Sequence, residues 1–365
     1  MANCEQLRFQ HTDFAGSEAN PKTVAAAEEI LRQAESADGF AALSEQFVAG
    51  LTDPRVGHQH VLVFNGDELV GLAGLEESAG EISAELVIAP GHRRQGYGNC
   101  LYEHLAEAVD KQGKKLQVWA HGQLPAAQAI AEKRGLAIVR HLLVMSVTGQ
   151  ALEKAGQPGE GPDGYVAKNY RESVEAFGTE HVEESWIAAN NQAFSWHPEQ
   201  GGWDRDRLHR SMEAEWFDPQ DVIFLWDVGT AGAGAAGSRA GAGSSTGEAG
   251  AGSRAGEADA PGAAVDKQPV LAGFHWTKWH GAAEDSAKAV GEVYVIALAS
   301  EYQGRGLSGH LLRLGIKQMV NKGATEVILY VEKDNESAVR VYEKSGFDIA
   351  ENHVVYAANS KNDAA

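Results

Sequence analysis

One order of segments occurs twice in this chain of 365 residues. The first pass runs from strand Ile82 to Ile88 through Arg93-Arg94-Gln95-Gly96-Tyr97-Gly98 into helix Asn99 to Lys111. Strand Leu116 to Ala120, helix Ala126 to Arg134, Gly135-Leu136 and a closing strand, Leu142 to Val147, follow. The second pass has strand Glu292 to Leu298, turn Gln303-Gly304-Arg305-Gly306-Leu307-Ser308, helix Gly309 to Met319 and strand Val327 to Val331. It ends in Asn335-x-x-Ala338-x-x-x-Tyr342-x-x-x-Gly346-Phe347. Laying Arg93 on Gln303 sets Ile82 on Glu292 and Leu86 on Ile296; laying Gly135 on Gly346 sets Ala131 on Tyr342. Repeats of this length mean tandem domains rather than a solenoid.

In each copy the turn joins a buried strand to a helix start. Unpaired backbone N–H groups and the positive end of the helix dipole converge there. Small residues let a phosphate approach the backbone closely. Many strand-to-helix loops are glycine-rich for steric reasons alone, so the turn by itself identifies no ligand. The Asn, Ala, Tyr and Gly-Phe positions on the next strand and helix make the second copy specific.

Around the repeats, Pro21 to Ser36 and Ala41 to Leu51 carry apolar residues at helical spacing. Gln59-His-Val-Leu-Val-Phe64, Asn65-Gly66-Asp67 and Glu68 to Ala73 spell a β-hairpin. Ala151 to Gly164 is rich in Gly, Pro and Glu and reads as a linker. Beyond Tyr165 the pattern predicts helix Val182 to Phe194, a loop Ser195 to Trp203, helix Asp206 to Glu215, and strands Val222 to Asp227 and Val270 to Lys278. Gly229 to Ala264 is nearly all Gly, Ala and Ser and cannot bury enough apolar surface to offset ordering its backbone, so it reads as a disordered insertion.

Composition narrows the partners. A net charge of −20 argues against nucleic acid or an anionic membrane surface. Two cysteines, Cys4 and Cys100, make no disulfide framework, and Cys100 reads as a small core residue in a reducing, cytoplasmic setting. The opening Met-Ala-Asn-Cys-Glu-Gln has neither a basic n-region nor an apolar h-region and no 18-residue apolar run occurs, so a soluble protein is expected. His58, His60, His275 and His280 share no metal-ligand spacing and read as packing residues in hydrophobic strands, so no metal is expected.

The second copy, Gln303-x-x-Gly306-x-Ser308 with Asn335, Ala338, Tyr342 and Gly346-Phe347, resembles the acetyl-CoA-binding core of the GCN5-related N-acetyltransferases. That resemblance implies an α/β (α+β) chain of two tandem acyl-CoA N-acyltransferase domains, each a mixed, mostly antiparallel sheet flanked by helices. The expected division is residues 1–150, a linker 151–164, and a catalytic domain 165–361. His197-Pro-Glu-Gln-Gly-Gly-Trp203, Glu215-Trp-Phe-Asp-Pro219, Gly273-Phe-His-Trp-Thr-Lys278 and Gly291-Glu-Val-Tyr-Val295 narrow it. They look like the mycothiol synthase family of actinobacteria, which acetylates the cysteinyl amine of cysteinyl-glucosaminyl-inositol with acetyl-CoA. Two positions depart from that pattern: Ser308, where the turn usually ends in Gly or Ala, and Ala297-Leu-Ala-Ser300, which replaces Gly-Val-Asp-Pro. Neither removes a backbone donor.

By the resemblance, acetyl-CoA lies along Leu86, Val87 and Ile88 and along Arg94, Gln95, Gly96, Tyr97, Gly98 and Asn99 in the first copy. In the second it lies along Ile296, Ala297 and Leu298, along Gln303, Gly304, Arg305, Gly306, Leu307, Ser308 and Gly309, and along Asn335, Glu336, Ser337, Ala338, Val339 and Arg340. Glu45, Glu199, Lys278, Glu292 and Tyr330 are carried over as substrate contacts, with Glu45 making the pocket interdomain. A monomer is expected.

The residues also argue for themselves. An α-amine with a pKa of about 7.7–8.0 must lose a proton before attacking a thioester, and Glu292 opens the strand that would face it. The leaving thiol gains from a hydroxyl donor, and Tyr342 is the candidate. Backbone N–H groups after Val295 would polarise the thioester carbonyl. Plain alternatives stand beside each: a strand-end carboxylate for Glu292, a packing aromatic for Tyr342, a solvated helix face for Glu45, an edge-strand lysine for Lys278. Another small-amine acetyltransferase, or a silent acyl-CoA-binding module, stays open at this level. The first copy, with Ile82 and Ala131, has neither candidate.

Overall fold

The computed structural model describes residues 4–13, 20–53, 55, 58–78, 80–157, 159–195, 201–229, 268–282 and 288–359. It divides into two compact units, the first made of residues 1–146, 330–343 and 347–365, the second of 147–329 and 344–346.

The first unit contains β1 (Leu7–Asp13), α1 (Pro21–Asp38), α2 (Glu45–Ala49), β2 (Gln59–Asn65), β3 (Glu68–Ser78) and β4 (Glu81–Ile88). Next come α3 (Tyr97–Asp110), β5 (Lys115–Ala120), α4 (Pro125–Arg134) and β6 (Leu136–Thr148). Its strands run in the order β1-β2-β3-β4-β5, followed by the chain's last strand, Asp348–Ala358, and then β6. Neighbours are antiparallel except β4 and β5. Successive side chains of a strand point to opposite faces. Val61 and Val63 accordingly join Leu101 and Leu105 of α3, while Leu62 joins Ala27, Ile30 and Phe47 of α1 and α2.

In the second unit come α5 (Gly149–Ala155), β7 (Tyr165–Asn169), α6 (Tyr170–Phe177), α7 (Thr179–Ala193), α8 (Arg205–Met212), β8 (Val222–Asp227), β9 (Val270–Ala282), β10 (Ala289–Leu298), α9 (Leu307–Asn321) and β11 (Glu326–Glu332), the last as far as Leu329. After it the chain adds α10 (Glu336–Lys344) and β12 (Asp348–Ala358). The strand order is β11-β10-β9-β8-β7, with β10 and β11 parallel and the rest antiparallel. Trp186 of α7 and Trp226 and Trp276 of the sheet are fully buried on one face; Leu307 and Leu311 of α9 cover the other with Leu225 and Leu298.

Two expectations change. Residues 151–155 of the expected linker belong to helix α5, which buries Leu152 and Ala155. Cys4 and Cys100 are joined in a disulfide, because the turn before β1 meets α3 with their Cα atoms 5.6 Å apart. The compact units are not contiguous in sequence, since 330–343 and 347–365 cluster with the first. The insertion beyond Gly229 lies outside the described residues. No helix of the described residues is long and apolar enough to cross a membrane.

Candidate active site

The two turns repeat atom for atom in their logic. Gly96 and Gly306 precede α3 and α9 with φ of 83° and 77°, a left-handed backbone that a Cβ disfavours. Arg94 and Gly304, at matching positions, are also left-handed, with φ of 64° and 74°. Neither cap residue carries a side chain to bond the first N–H groups of its helix, so those donors stay aimed into the turn. Arg93 donates Nε–H to the Ile88 carbonyl at 3.0 Å, and Gln303 donates to the Leu298 carbonyl at 3.4 Å. Each turn is thus tied back to the last residue of its strand. Arg93 is further clamped by both oxygens of Asp38 at 2.7 and 2.8 Å. In the second turn the Arg305 guanidinium lies 4.8 Å from the Tyr302 ring, and the Tyr302 hydroxyl donates to Asp227 at 3.0 Å. This is a cradle for an anionic, phosphate-sized group.

Beside each cradle the sheet comes apart. The parallel ladder of β4 and β5 ends at Glu85–Trp119, while β4 runs on through Leu86, Val87 and Ile88. That of β10 and β11 ends at Val293–Leu329, while β10 runs on to Leu298. On its other edge β10 has a bulge at Tyr294, between the pairs Val293–Thr277 and Val295–Trp276. Backbone N–H groups freed at such a break can bond an amide or thioester carbonyl. The expected contacts Leu86 to Ile88 and Ile296 to Leu298 stand at these breaks.

Glu292 sits inside β10 and is 8% exposed, which removes the strand-end alternative. Its register partner on β9 is Lys278, 4% exposed on an interior strand rather than an edge. The Lys278 ammonium stands 4.9 Å from the centre of the Trp216 ring and 5.9 Å from that of Tyr294, so aromatic faces offset part of its lost hydration. The Glu292 carboxylate bonds His280 Nε2 at 2.7 Å. Reading His280 as a packing residue missed this contact; the signal was Gly281, an isolated glycine in a strand. His275 does pack: fully buried, it bonds the Leu311 carbonyl at 3.1 Å, and loss of water pushes it down to about 4. His60 bonds the Phe47 carbonyl at 2.9 Å, and burial lowers it too. Among the described residues no group of three acidic, His or Cys side chains could hold a metal.

Glu45, Tyr330, Tyr342 and residues 335–340 belong to the first unit. Glu45 is exposed in the first turn of α2, beside Ser44, whose N–H donates to the buried carboxylate of Glu85 at 2.5 Å. Tyr330 is 47% exposed, with its ring 6.3 Å from that of His353. His353 in turn bonds His121 at 2.8 Å, a polar cluster that the sequence did not announce. Tyr342 is partly buried against Phe347, and desolvation pushes its hydroxyl up to about 12. Asn335 caps α10, accepting from the Ala338 N–H at 3.2 Å and the Ser337 hydroxyl at 3.0 Å, while Glu336 pairs with Arg340 at 2.6 Å. Glu199 lies outside the described residues.

The chain matches the acetyltransferase (GNAT) family over residues 24–136 and again over 190–347. It is 48% identical over 330 residues to the mycothiol acetyltransferase of Corynebacterium aurimucosum, covering 90% of this chain and 93% of that one. With the protein of the same name from Corynebacterium efficiens it shares 43% over 328 residues, 90% of each. Among solved structures, a GCN5-related N-acetyltransferase from Sphaerobacter thermophilus superimposes with a TM-score of 0.62 at 17% identity, over 97% of this chain and 95% of the other.

Proposed function

The chain belongs to the acetyltransferase (GNAT) family, and from that premise we propose that it transfers acetyl to the amine of a cysteinyl sugar, completing mycothiol. The acceptor is 1D-myo-inositol 2-(L-cysteinylamino)-2-deoxy-α-D-glucopyranoside, and the donor is acetyl-CoA. Support for the acceptor comes from relatives named mycothiol acetyltransferase that share up to 48% of their residues over nine-tenths of the chain. One observation carries the chemistry: Glu292, a carboxylate buried inside β10 one residue before its ladder with β11 ends, at the position that aligns with Ile82 of the first copy.

In this reading Glu292 removes a proton from the cysteinyl ammonium, whose pKa of about 7.7–8.0 keeps it largely charged near neutrality. The free amine attacks the thioester carbon, and the backbone around the Tyr294 bulge stabilises the oxyanion. Tyr342, held protonated far above neutral pH, donates to sulfur as the C–S bond breaks. Lys278, Glu45, Glu199 and Tyr330 contact the acceptor. Residues 1–150 bind acetyl-CoA without turning it over, and catalysis belongs to 165–361. The enzyme works in the cytoplasm as a monomer on small molecules, and its charge of −20 keeps nucleic acid away.

The test is one incubation of the purified protein with acetyl-CoA and the cysteinyl acceptor, followed by mass spectrometry and thiol release. Acetylation on the cysteinyl nitrogen is expected. Acetyl transfer to other small amines but not to this one would overturn the substrate, and acetyl-CoA binding without transfer to any amine would overturn the enzyme.

A further inference from the structure

Acetyl transfer to an ammonium group leaves a proton over. Two protons leave the nitrogen as R–NH₃⁺ becomes R–NH–CO–CH₃; one ends on the sulfur of CoA, by way of Tyr342, and the other must reach solvent. If Glu292 is the base, that second proton sits on a carboxyl whose side chain is 11% exposed, and the carboxylate must be emptied before the next turnover.

The structure offers the exit. The register of β9 against β10 jumps from Trp279–Gly291 to Gly281–Val290, so His280 is the extra residue of a β-bulge. Gly281 makes the bulge with φ of 79°, a conformation that costs glycine little. Bulges re-aim side chains beside active sites. Here the bulge sets the His280 imidazole on the Glu292 carboxylate at 2.7 Å while leaving that side chain 32% exposed. The pair therefore spans from the buried carboxylate to water. Among the described residues the charged group bonded to His280 is Glu292 from β10; Lys278, two residues back on the same strand, is the register partner of Glu292, and β11 sets the apolar Ile328 opposite Glu292.

We infer that His280 is a positioning residue for Glu292 that also takes its proton and hands it to solvent. In the resting pair the neutral imidazole donates Nε2–H to the carboxylate and fixes its orientation. After Glu292 has taken the amine proton, the imidazole exchanges through solvent to its other tautomer, gaining a proton at Nδ1 as Nε2 loses one. It then accepts the Glu292 proton at Nε2, becoming imidazolium, and releases the proton at Nδ1 to water, which restores the resting tautomer. Atoms and charge balance with no further reactant. The inference rests on Glu292 as the base, and the experiment separates the two.

Steady-state turnover with acetyl-CoA and the cysteinyl acceptor is measured for the parent, His280→Gln, His280→Ala, Glu292→Gln and the double variant Glu292→Gln/His280→Ala, with thermal midpoints. His280→Gln keeps a donor for the carboxylate but cannot carry a proton. It is expected to lose about 10- to 100-fold in kcat with little change in KM for acetyl-CoA, less than the roughly 10²–10⁴ typical of removing a base outright. Added imidazole should restore turnover of His280→Ala in proportion to its concentration, and His280→Ala should cost nothing more on top of Glu292→Gln. A His280→Gln enzyme with parent kcat beside a crippled Glu292→Gln overturns the relay alone. So does a His280→Ala enzyme with a lowered midpoint and no imidazole rescue. If Glu292→Gln itself turns over normally, the base assignment fails, and the relay with it.

Discussion

Glu292 and Tyr342 make opposite demands on pH. A Glu292→Gln enzyme keeps shape but lacks a base, so its turnover should fall by roughly 10²–10⁴ near neutrality. The deficit should narrow as pH passes the amine's own pKa, since the substrate then arrives deprotonated. Tyr342→Phe should lower kcat with little change in acetyl-CoA affinity and no narrowing, because the hydroxyl matters only as sulfur leaves. Parallel pH–rate profiles read both, and a normal rate for Glu292→Gln at pH 7 sinks the base. His275 supplies a purely structural signal. Its folded pKa of about 4 lies below the unfolded value of about 6.5, so the unfolded chain binds more protons between them. The stability it contributes is fully present above about 6.5 and is lost as pH falls through 4, on the order of 3 kcal/mol. His275→Gln should flatten the fall in thermal midpoint between pH 7 and 4, only in part, since His60 is shifted the same way. The chemistry of an amine substrate singled out Glu292 as a candidate, and the family resemblance Lys278. Neither could announce that His280, two residues from Lys278, would share their business, because that depends on one bulge.

Turns and strands were more legible than single side chains. Arg93 and Gln303, aligned by spacing alone, both reach back to the last carbonyl of their strands. Local sequence dictates that geometry, because a left-handed Gly before a helix leaves few paths for the chain. The residues of β9 read as a strand, but its bulge and its length to Ala282 did not, since Trp279-His280-Gly281 interrupts the alternation. Helix α5 was hidden by flanking Gly and Pro, and its stability comes from burying Leu152. The two turns can be told apart by charge. Gly306→Glu sets a carboxylate and an unfavourable φ in the turn along which acetyl-CoA is expected to lie, and turnover should drop below detection. Gly96→Glu does the same in the first copy and should weaken binding or stability while leaving the chemical step intact. Titration of acetyl-CoA beside single-turnover rates checks this. A folded Gly306→Glu enzyme at the parent rate would reassign catalysis to the first copy. The connection leaving β8 is a separate matter. Asp227 and Val270 are register partners, so the ends of that hairpin are already in place. Loop closure depends only logarithmically on length, so replacing residues 230–267 with a short turn should leave the thermal midpoint unchanged or slightly raised, at unchanged kcat.

At the scale of the molecule, the duplication was visible in the sequence, but the partition into compact units was not. Spacing reports neighbours along the chain, and β12 pairs with strands more than two hundred residues away: Val354 with Ala120, and Val355 with Arg140. Its insertion between β5 and β6 completes the first unit's sheet. Val354 and Val355 are fully buried there, and Tyr356 nearly so. Burying a large apolar side chain is worth about 1.5–3 kcal/mol, so these three supply roughly 4.5–9 kcal/mol, comparable to the whole stability of an ordinary domain at about 5–15 kcal/mol. Without β12, both β5 and β6 would also show an open edge of unpaired N–H and C=O groups. Residues 1–150, expressed alone, should therefore lack a cooperative thermal transition and tend to self-associate, although they contain every strand the first repeat spells out. A synthetic peptide of residues 347–359 added in trans should restore the transition, with a midpoint that rises with peptide concentration, because binding to the folded form alone stabilises it by mass action. Calorimetry with and without the peptide reads this directly. A cooperative transition of the bare fragment at the parent midpoint would show that the first repeat folds by itself and that β12 contributes nothing essential to it.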